Sequence, residues 1–380
     1  MGNVANPVWD VAKRELARMR ASADAWQELR CEPVKDAEGR RHDPNAVRRA
    51  LVLWGLQYDR RPDDLPLLRW LAGQEATYRR TVVGAGLSEE TELAGFLLAE
   101  HRQVADVWLH WQIKLANFDT WGCYDRGYLF AAGVQETIRY VQESDHRLRG
   151  ALLDYLLDEQ GRPTMSEDEL AEWWRHRRSY FPSDPSAEDP LTWVERAMLA
   201  GERDVARQWL DRWAAGRPRD ESTVSVLSRH LADLGAYAEA AAARRESLKF
   251  AATDRDRASA LRDLADLERQ AGNHHAAWEA LRECRRALDG VSGWHEIGLG
   301  RMYVEELFRL AASAEGDLAR WVFTEADRQA GGVPHLPLVA LQAAVEAAEW
   351  VGDDVRAAHY QELCAAEGRR IAEELERAHR

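Results

Sequence analysis

The stretch Leu227–Phe250, LSRHLADLGAYAEAAAARRESLKF, decides the reading of the fold. Leu227, Leu231 and Leu234 lie at helical spacing, the chain turns at Gly235, and an alanine-rich run resumes from Tyr237. Apolar residues three and four apart mark one face of a helix, and glycine accepts the left-handed backbone that ends a helix sharply. The stretch therefore predicts two short antiparallel helices. Its pattern recurs: Gly201, Gly235, Gly272, Gly316 and Gly352 each follow one apolar helical stretch and precede another, at spacings of 34, 37, 44 and 36 residues. A period of that size predicts stacked helix pairs.

A register test sharpens the pattern. Five residues after each glycine stand Ala206, Ala240, Ala277, Trp321 and Ala357, where a small side chain lets the second helix approach the first. Seven residues further on stand Trp213, Ser247, Cys284, Arg328 and Cys364, so the two cysteines read as core residues. The unit at Gly316 departs from the pattern through Trp321 and Arg328.

The Leu-Gly-x-Tyr run of Leu234–Tyr237, with Ala265, Gly272 and Ala277 in Leu261–Leu288, resembles the tetratricopeptide family over about the second half of the chain. The resemblance implies an all-α protein in which residues 191–380 form a TPR-like α-solenoid of about five helix pairs, closed by a long charged capping helix over 353–380. In such an array the first helices line a groove for a peptide or protein segment, and in the family's register that face includes Arg229, Arg262, Asp266 and Arg269. The asparagines of the family's carboxylate-clamp version do not stand at these positions.

The chain of 380 residues exceeds the usual size of a single core. Pro182, Pro185 and Pro190 mark residues 181–190 as a proline-rich linker after a helical domain of unrecognised family over 1–180, with Asp189 capping the next helix. The net charge of -14 is uneven, with 25 basic and 29 acidic residues in 1–180 against 26 and 36 in 181–380. An acidic surface repels phosphate, so nucleic acid is not an expected partner. Of 51 basic residues only Lys13, Lys35, Lys114 and Lys249 are lysine, a bias for which a GC-rich, bacterial genome favouring arginine codons is the expected explanation. The start at Met1, Gly2 and Asn3 carries no basic-then-apolar leader, and no apolar run approaches bilayer length, so the expected location is cytoplasmic with no membrane partner. Cys31, Cys123, Cys284 and Cys364 are scattered, which signals neither a zinc knuckle nor a disulfide scaffold.

The first half shows the helical period without a repeat. Trp9, Leu16, Met19, Ala23 and Trp26 trace one stripe, a polar loop follows over Val34 to His42, and helices are predicted over residues 44–56, 64–82, 88–117, 127–141, 145–159 and 167–178. Ser166 with Glu169 has the spacing of a capping box. Sixteen tryptophans are many; Trp54, Trp70, Trp108, Trp209, Trp213 and Trp350 fall among aliphatic residues and read as core.

Polar and aromatic groups are densest from Glu100 to Phe130. On a continuous helix Leu97, His101, Val104, Trp108, Trp111 and Leu115 share a seam, and Asp106 and His110 sit four apart. The catalytic candidates are His101, His110, Asp119 and Tyr124, with Trp108, Trp111, Lys114, Asp125 and Arg126 shaping an aromatic ligand pocket. Against this, a histidine on an apolar stripe is commonly a core residue, and Asp119 or Asp125 suits a helix cap. Walker, dinucleotide-binding, zincin and nucleophile-elbow motifs are not found, and neither metal nor cofactor is expected.

The leading expectation is thus a protein- or peptide-binding scaffold or regulator acting on one dedicated partner, and more a binder than an enzyme. An immunity-type protein that neutralises a basic toxin through an acidic surface is one version. An enzyme or small-ligand protein using residues 100–130 is the alternative, and unpaired solenoid ends leave room for a homo-oligomer.

Overall fold

The computed structural model describes residues 6–378 apart from 38 and 83, so Met1, Gly2, Asn3 and the last two residues of the expected final helix lie outside the described residues. The protein is all-α. Its first helices are α1 (Pro7–Ala21), α2 (Ala46–Tyr58), α3 (Leu65–Thr81), α4 (Glu89–Glu100), α5 (Val107–Lys114) and α6 (Phe118–Cys123). Then come α7 (Val134–Glu143), α8 (Arg149–Leu156), α9 (Glu167–Tyr180), α10 (Pro190–Leu199) and α11 (Arg203–Ala214). The remainder are α12 (Glu221–Asp233), α13 (Tyr237–Ser247), α14 (Asp254–Gln270), α15 (His274–Leu288), α16 (Gly298–Ser313), α17 (Gly316–Ala330), α18 (Leu338–Val351) and α19 (Asp354–Ala378). Within the polar loop, Val34–Lys35 and Arg41–His42 pair as a short antiparallel ribbon, too brief for alternation to reveal.

The chain forms two compact units, one up to Trp209 and one from Leu210 onward. The first unit thus includes residues 181–190 and α10. The prolines stop helix α9 before residue 182, but they do not free the chain. Gln57 Nε2 donates to the carbonyl of Pro182 at 3.1 Å and to Glu188 at 3.0 Å, and Arg60 donates to the carbonyl of Phe181 at 3.1 Å. Arg196 of α10, 2% exposed, donates to the Tyr58 hydroxyl at 2.6 Å, Gln57 Oε1 at 2.7 Å and Glu89 at 2.9 Å. A buried guanidinium needs several partners at once, and these come from α2 and the start of α4.

A second buried network lies where α2, α3 and α4 meet. Arg49, 0% exposed, is held by Asp43 at 2.6 Å and Glu75 at 2.8 Å, and Arg79 joins Glu75, Ser88 and Thr91. Such networks tolerate no missing member, because the partner left behind is a charge away from water.

The second unit is built by repetition, with α12 against α13, α14 against α15, α16 against α17 and α18 against α19. The turns carry the expected glycines. Gly235, Gly272 and Gly352 have φ of 78°, 79° and 77°, and the next residue's N–H reaches back five residues, as from Ala236 to Leu231 and Asn273 to Glu268, both at 2.8 Å. Gly201, in the first unit, ends α10 identically at φ 79°. This is the six-to-one bond of a Schellman helix end, which only a left-handed residue allows.

The register test also holds where it was met: Ala206, Ala240 and Ala277 are 0% exposed and Ala357 is 6%. At the irregular unit the phase is shifted by two. Gly316 begins α17 instead of preceding it by two residues, so Ala314 occupies the turn position and Ala319 and Ala326 face inward at 3% and 0% exposure. Trp321, 63% exposed, and Arg328 are therefore surface residues of a well-packed pair. Trp350 departs from its expected core place: it is 57% exposed, its indole N–H donating to the Ala314 carbonyl at 2.6 Å.

Candidate functional site

The segment Glu100–Arg126 does not continue as one helix. α4 ends at Glu100, Arg102 takes a left-handed φ of 49°, and a 3-10 turn over Val104–Asp106 leads into α5. The Arg102 guanidinium lies 4.9 Å from the Trp174 ring, an anchor on α9 that helical periodicity cannot show. The break dissolves the predicted seam. His101 closes α4 beside a separate cavity, Leu115 is exposed, and Asp106 accepts Arg69 Nε at 2.7 Å instead of facing His110.

His110 and Tyr124 do meet. His110 Nδ1 and the Tyr124 hydroxyl are 2.8 Å apart, and the imidazole stacks on Tyr128, itself stacked on Tyr124 at 4.5 Å between ring centres. All three rings are at most 2% exposed. Burial alone drives the His110 pKa down to about 3, and burial, followed by the neighbouring Tyr128 and Glu92, raises that of Tyr124, so both are neutral and one donates to the other. The cavity beside them has a volume of about 10 Å³, room for about one water. Gly95 closes the site, since a Cβ there would stand 2.2 Å from the Tyr124 hydroxyl.

Lys114 is also buried, at 2% exposure. Its ammonium donates to the carbonyls of Trp121 and Tyr124, each at 2.7 Å, and lies 5.1 Å from the Tyr155 ring centre. Those carbonyls close the C-terminal end of α6, where the last turn leaves acceptors without helical partners. At the other end Asn117 accepts from Thr120 N–H at 2.9 Å. Lysine and asparagine together hold this six-residue helix.

The remaining candidates disperse. Trp108 stacks on His146 at 3.9 Å; Trp111 packs edge-on to Trp121 and beside Tyr155. Asp119 is exposed beside Gly86. Asp125 caps the turn at Gly127 with a 2.8 Å bond, and Arg126 donates to the Thr164 carbonyl at 3.2 Å. The structure thus gathers His110 with Tyr124, and Trp111, Lys114 and Arg126 around the Tyr155 ring. It leaves His101, Asp119 and Trp108 apart.

In the second unit a groove runs along α12 and α14. Two hollows, of about 350 and 230 Å³, share Arg244 and Asp263. Glu221, Asp233, Asp256, Asp263 and Asp266 supply carboxylates to their walls, against the guanidiniums of Arg229 and Arg244. Arg244 Nη2 stands 3.5 Å from Asp263, while the buried Nε atoms of Arg244 and Arg262 have no hydrogen-bond partner among the described residues. Of the four residues the family register places here, Arg229 and Asp266 line the smaller hollow. Arg262 is bound to Asp263 at 2.5 Å, and Arg269 to Asp266 and, at 2.7 Å, to Glu306 of α16. Burial pushes the Glu306 carboxyl up to about 7 despite that arginine.

Sequence reasoning missed Arg244 and Asp263, the groove's shared centre. Arg244 belongs to a second helix, which the family pattern keeps away from the groove; its long side chain reaches in from α13.

Neither a family model nor a curated protein matches the sequence. Among the described residues no group of three or more His, Cys, Asp or Glu is placed to hold a metal ion, and no helix is long and apolar enough to cross a membrane.

Proposed function

We propose that the protein is a TPR-like binding scaffold or regulator whose α12–α14 groove receives a basic segment of a dedicated protein partner. The observation that carries this reading is the groove itself: two adjoining hollows along two successive first helices, with five wall carboxylates, of which Asp263 and Asp266 are paired with arginines and Glu221, Asp233 and Asp256 have no arginine partner among the described residues. A peptide laid along such a helix pair meets side chains at helical intervals, and the carboxylate excess favours lysine or arginine on the ligand. The surplus of acidic over basic residues in 181–380, 36 against 26, extends the same field beyond the groove. A basic toxin bound by an immunity-type regulator is one partner of that chemistry.

The test is capture of partners from the native host by the tagged full chain at low and high salt. A stoichiometric protein with a basic segment, retained at low salt, displaced at high salt and lost with Asp263→Arg, supports the reading. No stoichiometric partner at either salt, or one indifferent to Asp263→Arg, counts against it. An enzyme using His110 and Tyr124 is the weaker reading, because both groups are neutral, buried and bonded to each other beside a space the size of one water.

A further inference from the structure

A further hollow of the first unit lies apart from the aromatic segment. Its volume is about 260 Å³, and it opens where the ends of α2 and α4 meet the start of α3. Leu56, Leu68 and Leu97 form its floor, each at most 3% exposed. The rim is charged but satisfied. Asp64 accepts Arg20 Nε at 2.8 Å and the Arg61 N–H at 2.9 Å; Glu100 is paired with Arg60 and, at 3.2 Å, with Arg178; Arg61 turns to Asp59 at 3.0 Å. One polar side chain of the lining remains uncommitted. The His101 imidazole makes no hydrogen bond to any described residue, although its main-chain carbonyl is taken by Gln103 at 3.0 Å.

We infer that this hollow is a binding site for a small, uncharged, largely apolar molecule with a single hydrogen-bonding group, which His101 receives. The floor supplies transfer of apolar surface from water, and the neutralised rim offers no unpaired charge to attract an ion. Each arginine there would have to give up a carboxylate to serve an anion. A neutral imidazole can both donate and accept, so a hydroxyl or ring N–H satisfies it equally. Burial holds the His101 pKa below its usual value, which keeps the ring neutral at pH 7. The left-handed turn at Arg102, anchored on Trp174, fixes the end of α4 from which that ring projects. This site is independent of the groove in the second unit.

Titration of the full chain with 4-fluorophenol, followed by fluorine NMR near pH 7, tests the inference beside two companions: fluorobenzene, which lacks the hydroxyl, and 4-fluorobenzoate, which is charged. The expected order is 4-fluorophenol tightest, with fluorobenzene about tenfold weaker, the value of one hydrogen bond near 1.4 kcal/mol. His101→Phe should remove that tenfold advantage and leave fluorobenzene unchanged; if it unfolds, His101→Asn replaces it and should keep part of the advantage. Leu68→Trp, which fills the floor, should abolish binding of both. Preference for 4-fluorobenzoate, equal binding of phenol and benzene, or a phenol advantage that survives His101→Phe overturns the inference. So does absence of saturable binding by any of the three.

Discussion

The two units solve the same problem, burying helix faces, by different means. The second repeats one device, a left-handed glycine at the turn and an alanine at the helix crossing; its irregular pair keeps the crossing alanines by shifting phase two residues, while Ala314 at its turn is extended. The first relies on contacts that occur once: Arg49 between Asp43 and Glu75, Arg196 between Gln57, Tyr58 and Glu89, Lys114 against two main-chain carbonyls. Repetition spreads stability over many interchangeable small contacts. A singular network concentrates it in residues that cannot be replaced one at a time.

The largest effect that would break this contrast is at Arg49. Arg49→Met leaves Asp43 a buried charge without its cation and Glu75 with Arg79 alone, and should cost about 3–5 kcal/mol by urea denaturation. A loss below about 1 kcal/mol would mean that the first unit is as tolerant as the second.

A pH series separates the units next. His110 titrates near 3 in the fold but near 6.5 when unfolded, so the unfolded chain takes up its proton first. Its contribution is present above pH 6.5 and is lost as pH falls, by up to about 1.4 kcal/mol per pH unit. Glu306 has the opposite sign. With a folded pKa of about 7 against an unfolded 4.5, its contribution is present below pH 4.5 and is lost as pH rises toward 7. His110→Phe should flatten the acid side of the stability profile and Glu306→Gln the rise-side loss; identical slopes in wild type and variant would show that the groups titrate normally in the fold.

Smaller effects test the repeat. Ala277→Leu forces a larger side chain into a helix crossing with no exposed surface and should cost about 1–3 kcal/mol. Trp321→Ala, at the corresponding sequence offset from Gly316, should change stability by no more than about 0.5 kcal/mol, because the shifted phase puts Ala319 inside. A large loss at Trp321 would show that the sequence offset governs that pair after all.

The same contrast explains what could be read without coordinates. Turn glycines and crossing alanines recur, so each position is checked by its counterparts, and even the misfit at Gly316 announced itself through Trp321 and Arg328. The break after Glu100 had no such check. Leu97, His101, Val104 and Trp108 keep helical spacing across it, and the anchor that turns the chain, Trp174, lies seventy-odd residues away. The density of His, Trp and Tyr falls where polar groups are buried and paired with one another, His110 with Tyr124 and Lys114 with backbone carbonyls. Residues 181–190 were legible as a helix stop. Their fastening by Gln57, Arg60 and Arg196 was not, since it depends on partners more than a hundred residues apart.

On the proposed reading the α12–α14 groove recognises a basic segment. Selection of twelve-residue peptides from a random displayed library by the full chain, compared with Asp263→Arg, tests it most directly. The wild-type chain should enrich lysine and arginine at helical or extended intervals, and the variant should lose that enrichment or reverse it toward acidic residues. Enrichment that is acidic from the start, or basic enrichment that Asp263→Arg leaves untouched, would contradict it.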